Sequence, residues 1–131
     1  MPINTREIEV FKPYSNEAPE ALLMNEGFTD AQIDIWLDSD LLRVAKRGEE
    51  VLGLYAMNIA DGETYQLLGI VIAPNARKQR VGRWLVGHAL GVAESKGGRH
   101  VMFAHQRSGR FFTAIGFVTV DGGQRFDILP E

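Results

Sequence analysis

Four of the seven residues in Arg77-Lys78-Gln79-Arg80-Val81-Gly82-Arg83 are basic, in a chain whose formal net charge is −3. A basic run by itself reads as solvated surface. Its position gives this one more meaning. An apolar run, Tyr65 to Ile72, and Pro74 lie before it, and a helical pattern opens at Val81. A helix N-terminus presents unpaired N–H groups and a partial positive charge, which together bind phosphate. Gly82 has no Cβ and lets backbone approach a ligand closely. Val71 to Arg83 is therefore a candidate phosphate-binding strand–loop–helix. The segment carries neither GxGxxG nor GxxxxGK[ST], so the usual dinucleotide and nucleoside-triphosphate loops lack support.

The elements that must position this segment follow from periodicity. Ile8, Val10 and Phe11 read as a first strand. Ser15 or Asn16 can cap a helix through Ala21-Leu22-Leu23-Met24, stopped by Gly27. Thr29 caps a second helix with Ala31, Ile33, Ile35, Trp36 and Leu37 on its apolar side. Leu41 to Lys46 and Val51 to Ile59 are strands joined at Arg47-Gly48-Glu49. Asp61-Gly62 marks the next hairpin. Tyr65 to Ile72 is almost wholly apolar, as in a central strand buried on both faces. A helix from Val81 to Lys96 buries Val81, Leu85, Ala89, Val92 and Ala93 and stops at Gly97-Gly98. Its Gly87 and Gly91 suggest close approach of another element. Val101 to Ala104 is a strand, and Gly109 to Ala114 a short helix that Ser108 can cap. Phe117 to Val120 and Arg125 to Leu129 form a last hairpin. The expected order is β-αα-βββ-α-β-α-ββ, an α/β (α+β) fold with a mixed, mostly antiparallel sheet of about seven strands and helices on both faces.

Composition limits the alternatives. The 131 residues, 45% hydrophobic and 24% charged, suit one globular domain over 1–131. The acidic balance argues against a nucleic-acid partner. With no cysteine there is no disulfide, thiolate metal site or thiol nucleophile. His88, His100 and His105 lack metal-ligand spacing, so no metal is expected. The N-terminus has no apolar signal region and no run approaches membrane-spanning length. A cytoplasmic protein without a membrane partner is expected, and its edge strands and last hairpin allow a homodimer.

Two stretches together carry a family resemblance. Arg77 to Gly82 is similar to the motif [QR]-x-x-G-x-[GA] of the GCN5-related N-acetyltransferase (GNAT) superfamily, with Arg80 standing where the first glycine is usual. Phe111-Phe112-Thr113-Ala114-Ile115-Gly116-Phe117 resembles the family's FYxxxGF ending. The element order agrees along nearly the whole chain. The resemblance implies direct transfer of an acetyl group from acetyl-CoA to an amine, without an acetyl-enzyme. It places the pyrophosphate on the backbone of Gln79, Arg80, Val81 and Gly82, with Arg77, Lys78, Arg80 and Arg83 as the surrounding basic side chains. It lays the pantetheine arm beside the fourth strand at Ile70, Val71 and Ile72, where a backbone N–H would face the thioester oxygen. His105 and Phe112 complete the implied donor site.

The family's usual acid–base pair is absent. A tyrosine acid would stand at Phe112, and a glutamate base at Gln66. Three residues remain as catalytic candidates. His105 ends the fifth strand, where it could touch pantetheine, move a proton or simply bond to backbone. Glu63 opens the fourth strand and also reads as a turn residue. Tyr65 has a proton to give and also reads as core. Trp84 reads as packing before adenine stacking. Phe28 and Trp36 lie where this fold often covers its acceptor, and they also read as core. Two functions stay open: an N-acetyltransferase, and an acetyl-CoA-binding regulatory module that sits on a partner and catalyses little.

Overall fold

Leu54 and Ala56 of one strand point to one side of a sheet, and their neighbours Tyr55 and Met57 to the other; all four are fully buried. That alternation separates two apolar cores, one on each face of the sheet. The computed structural model describes residues 4–14, 18–77, 79–103 and 109–128. Along the chain run β1 (Glu9–Phe11), α1 (Glu20–Asn25), α2 (Asp30–Leu37), β2 (Leu41–Arg47), β3 (Glu50–Ile59) and β4 (Thr64–Ile72). Then come α3 (Val81–Ser95), β5 (His100–Phe103), α4 (Gly109–Ile115), β6 (Val118–Val120) and β7 (Gly123–Asp127). The order matches the expected one. The helix caps expected at Ser15, Asn16 and Ser108 lie outside the described residues.

The seven strands form one sheet in the order β1-β2-β3-β4-β5-β7-β6. Only β4 and β5 pair in parallel. Gly53 lets β3 approach β4 closely, since a Cβ there would stand 2.5 Å from the Val71 carbonyl oxygen. One core packs α3 and α4 on the sheet through Val81, Leu85, Ala89, Phe112 and Phe117. The other packs α1 and α2 through Leu23, Ile33 and Trp36 against Val44, Leu54 and Val71. Thr29 and Gln32 form a capping box that starts α2, an arrangement worth about 1 kcal/mol.

Three expectations are corrected. The apolar strand β4 is not buried on both faces, because Leu68, Gly69, Ile70 and Ile72 are only half-buried. Residues of both faces, Leu68 on one and Ile70 and Ile72 on the other, line a cleft. Gly87 and Gly91 face open space, with nothing within 4 Å of an added Cβ, so no element approaches them. The last strand is Gly123–Asp127 rather than Arg125 onward. There His100 and Asp127 face each other across β5 and β7 at 2.7 Å, with Arg125 on the same carboxylate. The His100 hydrogen bond, with help from Arg125, holds Asp127 below the usual carboxylate range.

Candidate active site

Among the described residues the parallel pairing of β4 and β5 runs from Thr64–His100 to Leu67–Phe103, and β4 continues to Ile72. A bulge opposite Ala56 and Met57 of β3 leaves Leu68 out of the β3–β4 ladder. Beyond Leu67 no described residue pairs with the β5-side edge of β4, which leaves a gap among the described residues. The Ala73 N–H donates to the Leu52 carbonyl, so the Leu52–Ala73 and Leu54–Val71 pairs are the hydrogen-bonded ones. Alternation turns the N–H and C=O groups of Ile70 and Ile72 the other way; the Ile72 carbonyl accepts from Arg77, which leaves the Ile70 groups and the Ile72 N–H facing the gap. An extended ligand could pair with them as a strand would.

A cleft of about 760 Å³ fills this gap. Ligand pockets run to roughly 300–1,000 Å³, so there is room for a cofactor arm and a small acceptor together. Ile70 and Ile72 of β4, Gly82 of α3 and Phe111 and Phe112 of α4 line one side. Glu26, Phe28, Ile35 and Trp36 from α1, α2 and their junction, with Leu68 of β4, line the other. Gly69 makes the second wall possible. The Trp36 indole edge lies 3.1 Å from where a Gly69 Cβ would be, so a side chain there would push the ring away.

At the mouth, α3 begins at Val81 with Arg80 as its N-cap. Arg80 has φ +66°, the left-handed conformation in which a Cβ is crowded. That accounts for the glycine the family prefers there. Gln79 donates from its side chain to the Asn75 carbonyl, which steadies the turn before α3. Val81 is buried, while Arg80 and Arg83 are exposed beside the helix start. Arg77 is already engaged: it donates to the Ile72 carbonyl at 3.2 Å and pairs with Glu26. Glu26 stands 51 residues away in the chain, and no local pattern signals this contact.

The matching family model, the acetyltransferase (GNAT) family, spans residues 8–117. The chain belongs to that family. No curated protein matches it. Among solved structures, this GNAT acetyltransferase is similar to a GNAT family acetyltransferase from Elizabethkingia anophelis with acetyl-CoA bound, with TM-score 0.77 and 18% identity over 93% of this chain and 99% of that one. It is also similar to a Bacillus subtilis acetyltransferase in complex with CoA (0.72, 18%, 94% and 99%). A third is an aminoglycoside 6′-N-acetyltransferase complexed with coenzyme A (0.74, 14%, 95% and 98%). At such identities these likenesses show the fold.

The GNAT fold sorts the candidate site residues by position. Ile70, Val71, Ile72, Gly82 and Phe112 line the cleft, while Arg77, Gln79, Arg80, Val81 and Arg83 belong to the turn and first helical turn next to Gly82 and are not among the lining residues. Lys78 and His105 lie outside the described residues. Glu63 and Tyr65 are not brought into the cleft; they stand at its far end of β4, where the strand is still paired with β5. The Glu63 carbonyl accepts from the N–H groups of Arg99 and His100, and Tyr65 is buried against Gly98. Gln66 is exposed and outside this cleft. Trp84 packs on the helical core beside His88, at 5.7 Å between ring centroids.

Away from the cleft, the Tyr55 hydroxyl lies 2.9 Å from His88 Nδ1, tying β3 to α3. Burial pushes Tyr55 up to about 12, against the opposing pull of Arg43. It is therefore the donor, and His88 accepts through a neutral ring. Burial, aided by the Arg43 charge, lowers His88 below its ordinary 6.5. The unfolded chain then takes up the proton more readily than the fold. This contribution to stability is full above about pH 6.5 and is lost as pH falls towards the folded pKa. His88→Asn is expected to flatten the decline of thermal midpoint between pH 7.5 and 5.5. Parallel slopes in the two proteins would refute it.

Proposed function

We propose that this chain transfers the acetyl group of acetyl-CoA directly to an amine. The observation that carries the reading is the cleft beside β4, lined by Ile70, Ile72 and Gly82, where the Ile70 backbone groups and the Ile72 N–H face away from β3 and the basic start of α3 lies next to Gly82. In this reading the phosphates lie on the turn from Gln79 to Gly82, met by Arg80, Arg83 and Lys78. Arg77 acts mainly by holding the β4 end to Glu26. The pantetheine arm runs along β4 as an added strand. An N–H of that edge donates to the thioester oxygen as it becomes an oxyanion, a preorganised stabilisation.

The acceptor ammonium first gives a proton to solvent. The neutral nitrogen attacks the thioester carbon, a C–N bond forms, and the C–S bond breaks. The nitrogen then loses its second proton to solvent, and the departing sulfur leaves as CoA thiolate. A thiol pKa near ~8.5 makes that sulfur a tolerable leaving group without a protein acid. Holding both reactants in one cleft supplies much of the rate. The reading thus accommodates Phe112, which has no proton to donate, and Gln66, which is not in the cleft.

Those same two residues favour a second reading, an acetyl-CoA-binding regulatory module. One experiment separates the two: calorimetric titration with acetyl-CoA, then CoA release against amines. Micromolar binding with turnover is expected. Tight binding with no turnover on any amine would select the regulatory module, and no binding at low ionic strength would remove both.

A further inference from the structure

The chain segments that contribute the two sides of the cleft differ in charge. From Glu20 to Leu37 there are four carboxylates, Glu20, Glu26, Asp30 and Asp34, and no Lys, Arg or His. The turn and helix start next to Gly82, which lines the other side, carry Arg77, Arg80 and Arg83. An anionic donor is drawn to the α3 side and a cation to the α1–α2 side, where the field of each group of charges favours it.

The interior of the α1–α2 side is apolar and aromatic. Phe28 and Trp36 meet edge to face at 5.2 Å and 83°. Ile35 is 56% exposed although it lines the cleft, and Leu68 closes the wall. Among the described lining residues Glu26 is the one charged side chain, and Arg77 already shares its carboxylate. A polyamine or aminoglycoside would bring several ammonium groups into a wall with one shared carboxylate. The remainder would be desolvated without partners, which is costly. A single ammonium beside Glu26 with an apolar body against Phe28, Ile35 and Trp36 satisfies both halves of the wall.

We propose that the acceptor is a primary monoamine on a flat apolar body, an arylalkylamine. This rests on the acetyltransferase reading above and names its substrate class. The probes are 2-phenylethylamine, spermidine and kanamycin, with acetyl-CoA affinity measured separately by calorimetry. The expected kcat/KM for 2-phenylethylamine exceeds that for either polycation at least tenfold. Ile35→Lys, at an exposed position, should raise KM for 2-phenylethylamine about tenfold and leave acetyl-CoA affinity within twofold. Trp36→Leu should do the same if it folds. Equal or faster turnover of spermidine or kanamycin would overturn the proposal, as would no turnover of 2-phenylethylamine or an Ile35→Lys KM equal to wild type. Loss of acetyl-CoA binding in the wild type is a different failure, since it removes the acetyltransferase reading itself.

Discussion

Exchanging Arg80 and Arg83 together for glutamate is expected to weaken acetyl-CoA binding about a thousandfold. Each arginine flanks the first turn of α3, where the helix already presents its positive end. A charge-assisted hydrogen bond to phosphate is worth roughly 1.5–3 kcal/mol. Two of them lost amount to about 4 kcal/mol, or three decades in affinity. Both side chains are exposed, so the fold should tolerate the change within about 0.5 kcal/mol. Arg80→Gly separates the two duties of that position. Glycine accepts φ +66° without a crowded Cβ, so stability should rise by about 1 kcal/mol while donor affinity falls. Calorimetry at two salt concentrations and a thermal melt check both halves. Affinity within threefold of wild type for the double variant would remove the arginines from the donor site.

The contrast between the two sides of the cleft shows what a sequence makes legible. The donor side is contiguous: strand end, basic turn and helix start fall within Val71 to Arg83, and each leaves a local pattern. The acceptor side is assembled from distant pieces. Glu26 meets Arg77 across 51 positions, and Trp36 meets Gly69 only because a bulge bends β4 there. Glu63 and Tyr65 illustrate the same limit. Tyr65 lies on the strand that lines the cleft and Glu63 just before it, at the end paired with β5. Which end of β4 lines the cleft depends on the elements that pack around it, and the periodicity of β4 alone does not contain that.

The apolar face of β4 carries a related lesson. Its run of hydrophobic residues reads as burial on both sides. The structure gives each face a core, and towards Ile72 the cleft takes residues from both: Leu68 from one face, Ile70 and Ile72 from the other, all half-buried. Hydrophobicity marks a surface excluded from water when the protein is complete, whether protein or ligand covers it. The helix glycines Gly87 and Gly91 misled for the opposite reason. They cost helix propensity without giving close packing in return, and nothing in the structure explains them.

Phe112→Ala is expected to lower the unfolding free energy by about 3–5 kcal/mol, the usual cost of removing a buried phenyl ring. The ring is 3% exposed and sits at the centre of an aromatic cluster. Its centroid lies 4.2 Å from Phe103 and 5.1 Å from both Phe111 and Phe117. Phe103 ends β5, and Phe111 and Phe112 belong to α4, so the cluster fixes α4 over the open end of the sheet. At about 4 °C per kcal/mol for a chain of this size, the thermal midpoint should fall by roughly 15 °C. Phe112→Tyr asks a different question of the same ring. It keeps the packing and restores the proton donor that the family usually places there. Catalysis that relies on proximity and a tolerable leaving group should be unchanged or faster in this variant. A large loss of turnover, with acetyl-CoA affinity and midpoint preserved, would mean that the site has no room for the hydroxyl. The ring would then shape the reacting geometry directly, and the missing acid would be a consequence of that packing.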